Sequence, residues 1–184
     1  AIREGLRGAA RIAAALGVEG SARLTDSAGM LVGFDDLVAL PSYHWTYCVV
    51  VPPSHDLAQA HAAGEPLALQ RIADYPIITY DSGYTGRAHI DEAFRHEGLA
   101  PSFVILAMNA DVIKTYVELG MGVGIIATMA HDDERDTGIV SIDAGHLFEP
   151  NVTHVAMRRG AYLREYAYGF IELFAPPLNR AAVE

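Results

Sequence analysis

Residues 77–129 read IITYDSGYTGRAHIDEAFRHEGLAPSFVILAMNADVIKTYVELGMGVGIIATM, and this stretch decides the fold. Three short apolar runs, Ile77–Tyr80, Phe103–Met108 and Val123–Met129, have the length and β-branched content of buried strands. Two segments with helical spacing lie between them. Arg87–Glu97 turns Ile90, Ala93 and Phe94 to one side, and Gly98 follows as a stop. Asn109 supplies the N-cap of a helix through Leu119, and Gly120 ends it. Strands alternating with helices imply parallel pairing in an α/β fold.

The flanks extend the pattern. Tyr47-Cys48-Val49-Val50-Val51 is a continuous apolar run stopped by Pro52-Pro53, which suits a strand covered on both faces. Leu37–Leu40, Ile139–Ile142 and Val152–Met157 are further strand candidates. Leu69–Ala73 reads as a short helix, and Tyr162–Phe174 as a helix ended by Pro176-Pro177. Ser54-His55-Asp56 reads as a turn. At the start, Ile2, Leu6, Ala9, Ala10, Ala13 and Leu16 predict a helix over 1–16, broken by Gly17 and Gly20. Residues 21–36 read as loop. No repeat and no low-complexity linker interrupts the chain.

The 184 residues carry a formal net charge of −10, and 51% are hydrophobic. This is a globular composition, sufficient for one domain or two small lobes. The acidity argues against direct binding to nucleic acid or anionic lipid, whose partners present basic surfaces. No apolar run reaches the ~20 residues of a membrane span. Arg3, Arg7 and Arg11 interrupt the start, so no signal peptide is expected there. The single cysteine, Cys48, rules out an intramolecular disulfide and fits a reducing cytoplasm. It reads as a buried, inert thiol.

Two junctions could carry chemistry. Asp81-Ser82-Gly83-Tyr84-Thr85-Gly86-Arg87 joins a strand to a helix start, where small ligands bind in open α/β sheets. Free N–H groups there favour anions, and Thr85 adds a hydroxyl. An ordinary capped turn explains the same residues, so the spacing alone leaves both readings open. Met108-Asn109-Ala110-Asp111 repeats the geometry; an N-cap role for Asn109 is sufficient explanation there, but two junctions of one kind strengthen the ligand reading. Tyr43-His44-Trp45 can line a pocket or hinge, or fill a core edge. Gly120-Met121-Gly122-Val123-Gly124 follows a helix and precedes a strand, the wrong order for a dinucleotide fingerprint. His131-Asp132-Asp133-Glu134-Arg135-Asp136 reads as a solvated loop, not a metal site. No nucleophile–base pair stands out, so no catalytic residue and no metal ligand is assigned.

Several stretches in order carry a family likeness. They are Leu40-Pro41-Ser42-Tyr43-His44-Trp45, Thr79-Tyr80 with Gly83-Tyr84-Thr85-Gly86-Arg87, and Asp111-Val112-Ile113-Lys114-Thr115-Tyr116-Val117. Arg158-Arg159, Tyr162-Leu163-Arg164 and Phe174-Ala175-Pro176 continue it. From about Asp36 to Arg180 the chain resembles the CysB-type branch of LysR-type transcriptional regulators. The resemblance implies an effector-binding domain of periplasmic-binding-protein-like (type 2) fold, two α/β lobes around a cleft. On this expectation residues 1–42 form a partial first lobe, 43–148 the second lobe, and 149–184 the return to the first.

The resemblance also implies a function. The chain would sense a co-inducer or anti-inducer for a regulator of sulfur assimilation and cysteine biosynthesis. The effectors implied are sulfate, thiosulfate, N-acetylserine, O-acetylserine and adenosine phosphosulfate, bound between the lobes with no cofactor. The family's anion site uses threonine hydroxyls and helix N-termini. Thr85 matches its second-lobe threonine, with Tyr84, Gly86 and Arg87 beside it. Tyr43 and Trp45 match the aromatic segment entering that lobe, and Asn109 is the further candidate. The partners implied are a homo-oligomer, dimer or tetramer, in the full-length regulator, and DNA only through a separate N-terminal winged helix-turn-helix. That module has no counterpart here, and residues 6–34 lack the family's Thr-rich segment, so an incomplete first lobe is expected. The alternative is a solute-binding protein for uptake of a small oxyanion, which shares the fold.

Overall fold

The computed structural model describes residues 37–83, 86–158, 160, 162–178 and 180. The helix expected over 1–16 and the loop over 21–36 lie outside them. The described chain falls into two compact units. One is the continuous run Trp45–Pro150, and the other combines the segment ending at His44 with the segment from Asn151.

The continuous unit is built on a five-stranded sheet of order β4-β3-β5-β2-β6. Its strands are β2 (Tyr47–Val51), β3 (Pro76–Tyr80), β4 (Ser102–Ala107), β5 (Val123–Ala127) and β6 (Val140–Asp143). β3 pairs in parallel with both β4 and β5, as the alternation of elements predicts. β2 runs antiparallel to both neighbours, with Tyr47 opposite Ala127 and Cys48 opposite Asp143. All five residues of β2 and of β5 are buried, consistent with continuous apolar runs covered on two faces.

Helices cover both faces. α1 (Asp56–Ala62), α2 (Leu69–Ala73) and α3 (Arg87–His96) place Leu57, Ile72, Ile90 and Phe94 against Tyr47, Val49 and Val51. On the other face, α4 (Ala110–Glu118) places Ile113 and Val117 against Cys48 and Val50. Alternate β2 side chains thus feed two separate cores. Gly124 lets α4 approach the sheet: a Cβ there would lie 2.5 Å from Val50 Cγ2 and 2.9 Å from Val117 Cγ2.

Among its described residues the other unit contains a two-stranded sheet of β1 (Leu37–Trp45, all but its last residue) and β7 (Asn151–Arg158), with helix α5 (Glu165–Phe174). Ile171, Ala175 and Leu178 form its small core with Leu40, Val155 and Met157.

Four elements differ from the sequence reading by more than one residue at an end. α1 begins where a turn was expected, because the His55 ring accepts from the Leu57 N–H and caps the helix. β1 continues past Leu40 to Trp45. β5 stops at Ala127 and gives way to a 3₁₀ turn, Thr128–Ala130. α5 starts at Glu165, later than Tyr162.

Candidate functional site

The parallel strands end together. Tyr80, Ala107 and Ala127 close β3, β4 and β5 at one edge of the sheet. The antiparallel register brings Tyr47, the start of β2, to the same edge. In open α/β sheets this edge is where ligands bind.

The β3–α3 loop is tied down at both described ends. At its start, the Asp81 N–H donates to the Ala107 carbonyl at 3.0 Å. At its end, Gly86 adopts φ 95° and ψ −28° as the N-cap of α3. That left-handed conformation suits glycine, which has no Cβ to clash. The buried Tyr47 hydroxyl donates to the Gly86 carbonyl at 2.7 Å. Tyr47 is itself held edge-on by Trp45 and Phe148, with ring centroids 5.4 and 5.1 Å away.

Arg87 opens α3 with its side chain only 7% exposed. Its guanidinium donates to the Tyr80 carbonyl and to Asp91, both at 2.8 Å, and lies 4.0 Å over the Phe103 ring. These contacts commit the side chain to the fold. A cation so placed ties strand β3, strand β4 and helix α3 together.

The neighbouring junctions are also ordered. Asn109 caps α4 by accepting from the Val112 N–H at 3.0 Å. The Ala127 N–H donates to the Tyr80 hydroxyl, and burial pushes that phenol's pKa up. Thr46 and Thr128 bring their hydroxyls to 3.2 Å, and the Thr128 N–H donates to the Thr46 carbonyl.

The fold therefore brings Gly86, Arg87, Asn109 and Trp45 to one sheet edge. Tyr43 belongs to the other unit, edge-on to Phe174 at 5.5 Å. Tyr84 and Thr85 lie outside the described residues. Tyr47, Thr46 and Thr128 were not picked out from the sequence. Tyr47 was detectable: a hydroxyl opening an otherwise aliphatic buried run needs a partner.

The acidic loop departs from the solvated loop expected. Lys114 of α4 donates to both oxygens of Asp136, at 2.9 and 3.0 Å, and to the Ala130 carbonyl at 3.1 Å. Asp136 and His131 are drawn under the loop, with side chains 13% and 9% exposed. Asp132, Asp133, Glu134 and Arg135 stay exposed. Among the described residues, no group of three or more His, Cys, Asp or Glu side chains could hold a metal ion. Cys48 is buried, and desolvation pushes its thiol up against the opposing hydrogen bond to Ser141.

Comparison with known proteins follows the same outline. The LysR substrate binding domain matches residues 29–176. The HTH-type transcriptional regulator SsuR of Burkholderia cenocepacia is 52% identical over 166 residues, 90% of this chain and 53% of that protein. CysB of the same organism is 44% identical over 179 residues, 97% of this chain and 56% of that protein. The chain thus spans about half the length of these curated relatives. The crystal structure of the cofactor-binding domain of the Cbl transcriptional regulator superposes with a TM-score of 0.77 at 33% identity. The match covers 96% of this chain and 74% of that one. These likenesses bear out the α/β, periplasmic-binding-protein-like effector domain expected from the sequence. Among the described residues, no helix is long and apolar enough to cross a membrane.

Proposed function

The chain belongs to the LysR substrate-binding-domain family, and from that premise we propose that it is the effector-sensing part of a transcriptional regulator of sulfur assimilation. The effector is a small anion or an acetylated serine, and it sits at the strand ends beside Gly86 and the start of α3. The observation that carries this site is the left-handed Gly86 opening a ten-residue helix at the sheet edge where β3, β4 and β5 end. A helix N-terminus offers backbone donors and a favourable dipole to an anion without a fixed counter-charge. Thr85 adds a hydroxyl on this reading, and Trp45 an aromatic wall.

We assign the chain no catalytic role. It works in the cytoplasm as part of a homo-oligomer that reaches DNA through a separate N-terminal module. An effector shifts such a regulator only by its differential affinity for two states. The uptake alternative has no observation in its favour, since the relatives are named as transcriptional regulators.

The test is isothermal titration with sulfate, thiosulfate, N-acetylserine, O-acetylserine and adenosine phosphosulfate at fixed ionic strength. Saturable binding of one names the effector. A cooperatively melting protein that saturates with none of them rejects this set of effectors.

A further inference from the structure

We infer that Tyr47 is a positioning residue for the effector: by holding the Gly86 carbonyl it aims the Arg87 backbone N–H at the bound anion. This rests on reading the β3–α3 junction as the effector site.

The argument turns on one peptide plane. The Gly86 carbonyl and the Arg87 N–H belong to the same trans peptide, so they are coplanar and point in opposite directions. Whatever fixes the carbonyl also fixes the amide. The Tyr47 phenol does so from beneath, with a buried bond of 2.7 Å. Its ring cannot follow a moving loop, because it is 0% exposed and packed between Trp45 and Phe148. The clamp matters because the preceding residue is glycine. At φ 95° Gly86 has backbone alternatives that a residue with a Cβ would not have. The carbonyl also accepts from the His89 and Ile90 N–H groups of the first helical turn, at 3.1 and 3.4 Å. The longer of these is a weak restraint, so the phenol supplies the short, buried one.

The Arg87 side chain has a different duty. Its guanidinium is turned into the fold, onto Tyr80, Asp91 and Phe103. Arg87 thus meets the anion with its main chain, while its side chain anchors the helix start. Trp45 acts on the same plane at one remove, through the Tyr47 ring.

The experiment titrates sulfate, thiosulfate, N-acetylserine and O-acetylserine in turn into the wild type, Tyr47→Phe and Tyr75→Phe. Calorimetry gives affinity, melting gives stability, and ¹⁵N-resolved NMR follows the Arg87 amide. Tyr75 donates to Asp56 near α1 and α2, so its variant controls for loss of a tyrosine hydroxyl elsewhere. The expected result is wild-type saturation with a shifted Arg87 amide and unchanged affinity in Tyr75→Phe. Tyr47→Phe should bind about tenfold more weakly, ~1.4 kcal/mol, and lose the Arg87 response while still melting cooperatively. Equal affinity in Tyr47→Phe overturns the inference alone. If Tyr47→Phe does not fold, the wild type decides: an Arg87 amide indifferent to saturation overturns the inference. No saturation of the wild type overturns both the effector reading for these probes and the inference built on it.

Discussion

Lys114 is the chain's only lysine, and it stands three residues after Asp111 on an amphipathic helix. That isolation was a readable signal, but its partner Asp136 lies 22 residues away, where no local pattern points. Burial opposes both charges, yet their hydrogen bonds prevail: Asp136 is held below the usual carboxylate range and Lys114 above its own. A lowered carboxylate pKa adds stability above about pH 4, lost as the pH falls through the folded value. A raised lysine pKa adds stability below about pH 10.4, lost as the pH rises through the folded value. Lys114→Met should therefore cost ~2 kcal/mol near neutrality. In urea titrations the gap to wild type should close as the pH drops below about 4; a gap constant from pH 7 to pH 2 contradicts the assignment. At the proposed site, Thr85→Ala should weaken effector binding by ~1.5–3 kcal/mol, the worth of a hydrogen bond to a charged group. Unchanged affinity by calorimetry removes Thr85 from the site. Thr85 is a candidate through the family likeness, and the Tyr47–Gly86 bond, spanning 39 residues, was not legible in the sequence.

Elements with strong local signals were the ones the sequence revealed. Tyr47–Val51 and Leu69–Ala73 have the predicted bounds, because Pro52-Pro53 and short runs of distinct period punctuate them. β3, β4 and β5 shift only at their ends. The antiparallel setting of β2 was not legible: an unbroken apolar run says that both faces are covered and nothing about direction. α1 was hidden because a histidine, not one of the usual capping residues, starts it. Gly124 falls in the strand read from Val123 onward, but its packing role was not legible. It lies inside β5, opposite Val50, where α4 crosses the sheet. Gly124→Ala should destabilise the protein by ~1–3 kcal/mol, since the methyl group meets Val50, Val117 and Ile113 in a packed core. Denaturant unfolding tests this, and an unchanged midpoint would mean that α4 can lift away at no cost.

At the scale of the molecule, Trp45–Pro150 is one uninterrupted run that contains both cores of the five-stranded sheet. A protein made of residues 45–150 alone should melt cooperatively by circular dichroism; a broad, non-cooperative loss of signal would show that it needs the remaining segments. The placement of β2 also has a consequence for synthesis. Its first residues emerge early, but Thr46 meets Thr128 only 82 residues later. At ~5–20 residues per second on the ribosome, β2 waits roughly 4–16 s for its first sheet neighbour. Throughout that interval an uncharged Tyr-Cys-Val-Val-Val segment stands open, the composition that other nascent chains and chaperones bind. The strand that ends up enclosed between β5 and β6 is thus the one most in need of protection while the protein is being made.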